Sequence, residues 1–214
     1  MKEKYKNYLN KDHSFDRITM VGIFCLIIVI AGMFGFLYEF IFYYFDRGMK
    51  YFYYRGGNFL PWINIYAIGA IIVYLFTYKI RKKPGMLFII SLVTCGLLEY
   101  VSGLCIYIIG NGLRYWNYNT EILNFGNIQG FVCLRSVLFF GISSLFLMYV
   151  IVPGCFYLAK KLPSNMFLII SITLCSIILI DEFYNLLIAR MFDLPRARDF
   201  YLKLGVKYIS VKQG

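Results

Sequence analysis

Five ionisable residues stand inside, or at the edge of, long apolar runs: Glu39, Glu99, Arg135, Asp181 and Glu182. A charged group at the centre of a bilayer costs about 2.5 to 3.5 kcal/mol on insertion scales, so each needs a partner or a wet cavity. Carboxylates there can bind or relay charge or serve as a general acid or base, and an arginine can grip an anion. Four carboxyls against one intramembrane arginine would leave three uncompensated negative charges. Some must therefore be protonated, hydrated, bound to a cation, or reached by Arg47, Arg55 or Arg114 from the loops. The same residues can be read as satisfied interhelical contacts or as a substrate, ion or proton site. For Asp181 and Glu182 the first reading is the stronger.

Other chemistries lack the residues. The only histidine, His13, precedes the first apolar run, which removes Ser-His-Asp, Cys-His and His-x-x-x-His arrangements inside the membrane. No lysine lies in the apolar runs, and no phosphate-binding Gly-x-x-x-x-Gly-Lys-Ser/Thr motif occurs, so the chain has no P-loop of its own for ATP hydrolysis. The six cysteines form no C-x-x-C pair and read as small buried hydrophobes rather than a zinc site or disulfide framework. No cofactor or metal is expected. The inventory leans against an enzyme; the alternative it leaves is an intramembrane lipid-modifying one using carboxylate chemistry, with Glu39 and Glu99 as the residues that could recruit a cation. A non-catalytic lipid-binding or assembly factor is the other alternative.

The elements that must position these groups follow from the apolar blocks. In 214 residues, 60% are hydrophobic and 15% charged, which excludes a disordered chain and an ordinary soluble domain. Runs from Ile18 to Phe45, Phe59 to Tyr78, Met86 to Gly110, Phe131 to Val152 and Met166 to Ile188 can each cross about 30 Å of hydrocarbon as helix. The expected fold is all-α: a polytopic transmembrane helix bundle of about five spans, with Asn111 to Gln129 as a candidate re-entrant segment. Residues 1–17 form a basic cytoplasmic leader, 18–188 the transmembrane domain and 189–214 a basic amphipathic tail suited to the headgroup region. The first run, at 28 residues, is too long for the 7 to 15 of a cleavable signal and is expected to stay as an anchor.

The formal charge of +11 sits in collars around these runs, so lipid headgroups explain it and nucleic acid is not an expected partner. With the basic turn Lys79 to Gly85 in the cytoplasm, eleven basic residues lie inside, against four in outward loops and six in the tail. The loops obey the positive-inside bias and the tail does not. Spacing adds a detail: Gly35, Glu39 and Tyr43, and likewise Cys95, Glu99 and Gly103, repeat at steps of four, so each glutamate shares its helical stripe with small residues. Such stripes let helices approach closely, which points both carboxylates into the bundle. Asp181 and Asn185 repeat the step.

Between Gly35 and Gly141 an ordered set of pieces resembles the bacterial CmpB-like family of type IV ABC-transporter permeases. They are Gly35 with Glu39; Arg55-Gly56, Pro61, Tyr66 and Gly69; Leu98-Glu99-Tyr100 with Gly103; Arg114-Tyr115-Trp116-Asn117-Tyr118; and Asn127-Ile128-Gln129-Gly130 leading to Val132-Cys133-Leu134-Arg135. The resemblance implies a multi-pass protein of the bacterial plasma membrane, surrounded by lipid, with a separate ATPase subunit and homo-oligomeric assembly. Together with the charged residues it yields a substrate site of Glu39, Arg55, Glu99, Trp116, Asn127 and Arg135. The chain departs from the family pattern at Asn117, where the family has aspartate, and at Phe131, where it has arginine. It departs also at Asn64 and Ala67, where proline and glycine are usual. Loss of that aspartate and arginine together implies a lost ion pair or an altered site.

Overall fold

In the computed structural model, which describes residues 14–51 and 53–208, the apolar runs become helices of unequal length. Helix α1 is Arg17–Asp46, α2 is Asn64–Ile80 with a 3₁₀ last turn, α3 is Pro84–Ile109, α4 is Leu134–Lys161 and α5 is Ser164–Met191. A short α6, Ala197–Lys203, follows in the tail. Four of these are long and apolar enough to cross a membrane, and α2 is the shorter fifth. The bundle is all-α apart from a two-residue parallel pairing of β1, Tyr53–Tyr54, with β2, Lys207–Tyr208. His13, the leader before Ser14 and the last residues of the tail lie outside the described residues.

The sequence patterns account for several ends. The Asp16 carboxylate accepts the Thr19 amide at 3.0 Å and so caps the first turn of α1, where amides lack helical partners. Pro84 opens α3, where its missing N–H costs nothing. Helix α4 widens into a π-helical turn at Leu147–Ile151, just before Pro153, whose ring cannot continue the ordinary hydrogen-bond ladder.

The chain divides into two compact units, one of residues 14–68 and 154–209 and the other centred on 69–153. In the first, α1 and α5 run parallel. Gly22 lies against Phe167 and Ser171, the Cys25 thiol is within hydrogen-bond reach of Cys175, and Val29 shares a core cluster with Cys175 and Ile178. The numbers rise together along both helices. The five apolar runs of the sequence thus appear as four long helices and a shorter fifth, with a correction to the second run. The run starting at Phe59 does not become helix until Asn64, because residues 58–63 are held as non-helical backbone by α5.

That irregular stretch descends along α1. Tyr54 packs with Phe36, and Trp62 reaches Gly32, where its indole N–H donates to the Ile28 carbonyl at 3.0 Å and the Ile63 amide donates to the Gly32 carbonyl at 3.1 Å. Bare backbone at this depth is tolerated only when protein satisfies it. The tail is bound to the same loop: Tyr201 donates to the Phe59 carbonyl at 2.7 Å, Tyr184 to the Pro195 carbonyl at 2.9 Å, and the Ala197 amide to Asn185 at 2.8 Å. The end of α5, the loop after α1 and the start of the tail therefore share one face.

The second unit repeats the device. The Phe131 and Trp116 rings press on Gly103, and Val137 on Gly96, so residues 111–133 run back along α3 before α4 begins beside Glu99. Glu99 is ten residues from the end of α3, about 15 Å along the helix. Residues 111–133 thus return along α3, and the loop after α1, read from sequence as a plain loop, returns along α1 in the same way.

Candidate functional site

The six residues expected to form a site divide between the units: Glu39 and Arg55 in one, Glu99, Trp116, Asn127 and Arg135 in the other.

Glu39 sits one turn beyond Gly35 on α1. Gly35 is needed there because a Cβ would stand 2.1 Å from the Tyr66 ring, and that ring lies flat enough on the bare backbone for its hydroxyl to donate to Glu39 at 3.2 Å. The second carboxylate oxygen forms an ion pair with the Arg55 guanidinium, which also covers the Tyr43 ring at 4.6 Å. Both side chains are 13% exposed. Of the three loop arginines expected to reach an intramembrane carboxylate, Arg55 does so. Arg47 pairs with its neighbour Asp46, and Arg114 donates to the Gln129 carbonyl while stacking on Tyr107 and Phe131.

Glu99 is 4% exposed and is held differently. Tyr118 donates to Oε1, and Oε2 lies 2.8 Å from the Ser136 hydroxyl. Arg135, expected as a partner for the intramembrane carboxylates, pairs instead with Glu121 at 2.7 Å and overlies the Tyr118 ring at 5.2 Å. Glu121 was missed in the sequence because it stands in a polar loop with no apolar run to mark it as buried. Trp116 donates to the Phe131 carbonyl at 2.8 Å, and Asn127 bridges Asn119 and the Gly130 amide at 2.6 and 2.8 Å. Both residues bind the loop to itself. Gly130 has φ +77°, and a Cβ there would meet Asn117 Oδ1 at 2.6 Å. Asn117 and Phe131, the two departures from the family pattern, are thus near neighbours, and the Arg114 guanidinium stacks on Phe131.

Asp181 and Glu182 are spent on the fold. Asp181 accepts the Phe59 and Leu60 amides at 3.0 and 2.7 Å and Asn185 at 2.8 Å, and Glu182 accepts the side-chain amides of Asn58 and Asn64 at 2.5 and 2.7 Å. They supply the hydrogen bonds that the non-helical approach to α2 lacks. Among the described residues no cluster of His, Cys, Asp and Glu is spaced to hold a metal ion.

Taken together, these elements define a multi-pass helical membrane protein whose loops fold back along their preceding helices onto buried glutamates. The chain belongs to the family described as "Putative ABC-transporter type IV", whose profile matches residues 26–186, from within α1 to the last turns of α5. Neither a curated protein nor a solved structure matches it.

Proposed function

We propose that the chain is the membrane-embedded, permease-like subunit of an ABC-type transporter, handling its substrate at the intramembrane polar sites around Glu39 and Glu99. The observation that carries this reading is the pair of buried glutamates, each on a membrane-spanning helix and each engaged by a side chain from the adjoining loop or helix start. In this reading Glu39 and Arg55 form one charged element, Glu99 and Arg135 line the other, and Trp116 and Asn127 set the shape of the loop above Glu99. Family membership supports the transporter class, and in this reading ATP hydrolysis falls to a separate subunit. Five spans are few for a translocation path, so the working form is a homodimer or larger assembly in the plasma membrane.

The test is purification of the tagged full chain from its native membrane in mild detergent. A stoichiometric ATPase subunit that hydrolyses ATP in the reconstituted complex is the expected result. A chain that purifies with no nucleotide-hydrolysing partner, from cells in which it is functional, overturns the reading.

A further inference from the structure

The two glutamates differ in what holds them. Glu39 has a guanidinium, whereas the carboxyl of Glu99 is met by two hydroxyls and, among the described residues, forms no salt bridge. The other ionisable groups facing Glu99 are Cys95, one turn back on α3, Glu121 from the loop and Arg135 from α4. The last two are bound to each other at 2.7 Å, so their charges largely cancel.

The hydrogens around Ser136 can be counted. Its Oγ lies 2.8 Å from Glu99 Oε2 and 2.8 Å from the Cys133 carbonyl, and it accepts the Cys133 amide at 3.3 Å. A serine hydroxyl has one hydrogen to give and two lone pairs to offer. With Glu99 ionised, that hydrogen can serve only one of the two close oxygens, and the other contact becomes two oxygens 2.8 Å apart with nothing between them. With a proton on Oε2, the order is complete: Glu99 donates to Ser136, Ser136 donates to the Cys133 carbonyl, the Cys133 amide donates to Ser136, and Tyr118 donates to Oε1. Every short contact then carries one hydrogen. An uncharged acid also avoids the cost of an unpaired carboxylate inside a membrane helix.

We infer that Glu99 is a proton-binding site, occupied in this structure at neutral pH, with the bound proton completing the hydrogen-bond chain that joins the returning loop through Tyr118 to the start of α4 through Ser136. The site's ligand is the proton itself, and this assignment does not depend on what the protein transports. It gives the two halves of the molecule different electrostatic states: a charged pair at Glu39 and a neutral acid at Glu99.

Infrared spectroscopy of the purified full chain in lipid nanodiscs at neutral pH reads this directly. The difference between wild type and Glu99→Gln should contain the carbonyl stretch of one carboxylic acid. Loss of carboxylate bands in that difference, with no acid band, overturns the inference. Glutamine keeps the shape of the neutral acid, and a second variant guards against misfolding. Tyr118→Phe removes the donor to Oε1 and should move the acid band to higher frequency; an unmoved spectrum would contradict the chain described above.

Discussion

At the scale of single residues, charged groups inside the bundle are met by protein partners. The sequence arithmetic of four carboxyls against one arginine came out differently because each acid drew on a different resource: Arg55 from a loop, hydroxyls from Tyr118 and Ser136, backbone amides of Phe59 and Leu60, and the side-chain amides of Asn58 and Asn64. The one arginine within a span turned to Glu121. Removing one member of a buried pair strands the other, a loss of about 3 to 5 kcal/mol, whereas removing both together costs much less. Arg135→Ala should therefore lower thermal stability in detergent sharply, and the double variant Arg135→Ala with Glu121→Gln should recover most of it. Equal losses for the single and double variants would show that the pair contributes little. Glu39, Glu99 and Arg135 were legible from sequence because a charge inside an apolar run is conspicuous. Glu121, Tyr118 and Ser136 were not, since a polar residue in a polar loop shows its burial only once the loop's path is known.

At the scale of elements, glycine and its neighbours set where the loops can go. The stripes Gly35-x-x-x-Glu39 and Glu99-x-x-x-Gly103 were expected to admit a neighbouring helix. The stripe at Gly35 admits α2 through the Tyr66 ring, whereas Gly103 takes the loop-borne rings of Trp116 and Phe131. Hydropathy could place five apolar runs but not find the start of α2, because residues 59–63 are as apolar as helix and are kept from it by Asp181, 120 residues away in sequence. Five alternating spans already imply that α1 and α5 run parallel, but their direct packing was invisible for the same reason: long-range contacts decide it. It makes a specific forecast. Cys25 and Cys175 face each other, so a short, membrane-permeant bifunctional thiol reagent should link them within one chain, detected as a joined peptide pair by mass spectrometry. Linkage of Cys25 to other cysteines with no Cys175 product would contradict the parallel register.

For the whole molecule, basic collars and apolar runs establish a membrane protein, and it belongs to the family described as "Putative ABC-transporter type IV". What composition left open was the side of the tail. Its hydrogen bonds to Phe59 and Asn185 put it beside the loop after α1, so packing places this basic segment where the count of lysines and arginines could not. Arg81 makes the same point from the other end of α2: counted as part of a headgroup collar, it is 2% exposed, with its guanidinium on the Tyr78 ring and its carbonyl accepting from Tyr149. The central claim is that Glu39 and Glu99 are the working groups of a permease-like subunit. Its most direct test is the ATP turnover of the reconstituted complex carrying Glu39→Gln or Glu99→Gln, each first shown to fold and to retain its ATPase partner. The account predicts that each variant lowers turnover at least about tenfold, the loss of roughly 1.4 kcal/mol of stabilisation in the rate-limiting step. Turnover at the wild-type rate in both variants would contradict it and leave the two glutamates as parts of the fold alone.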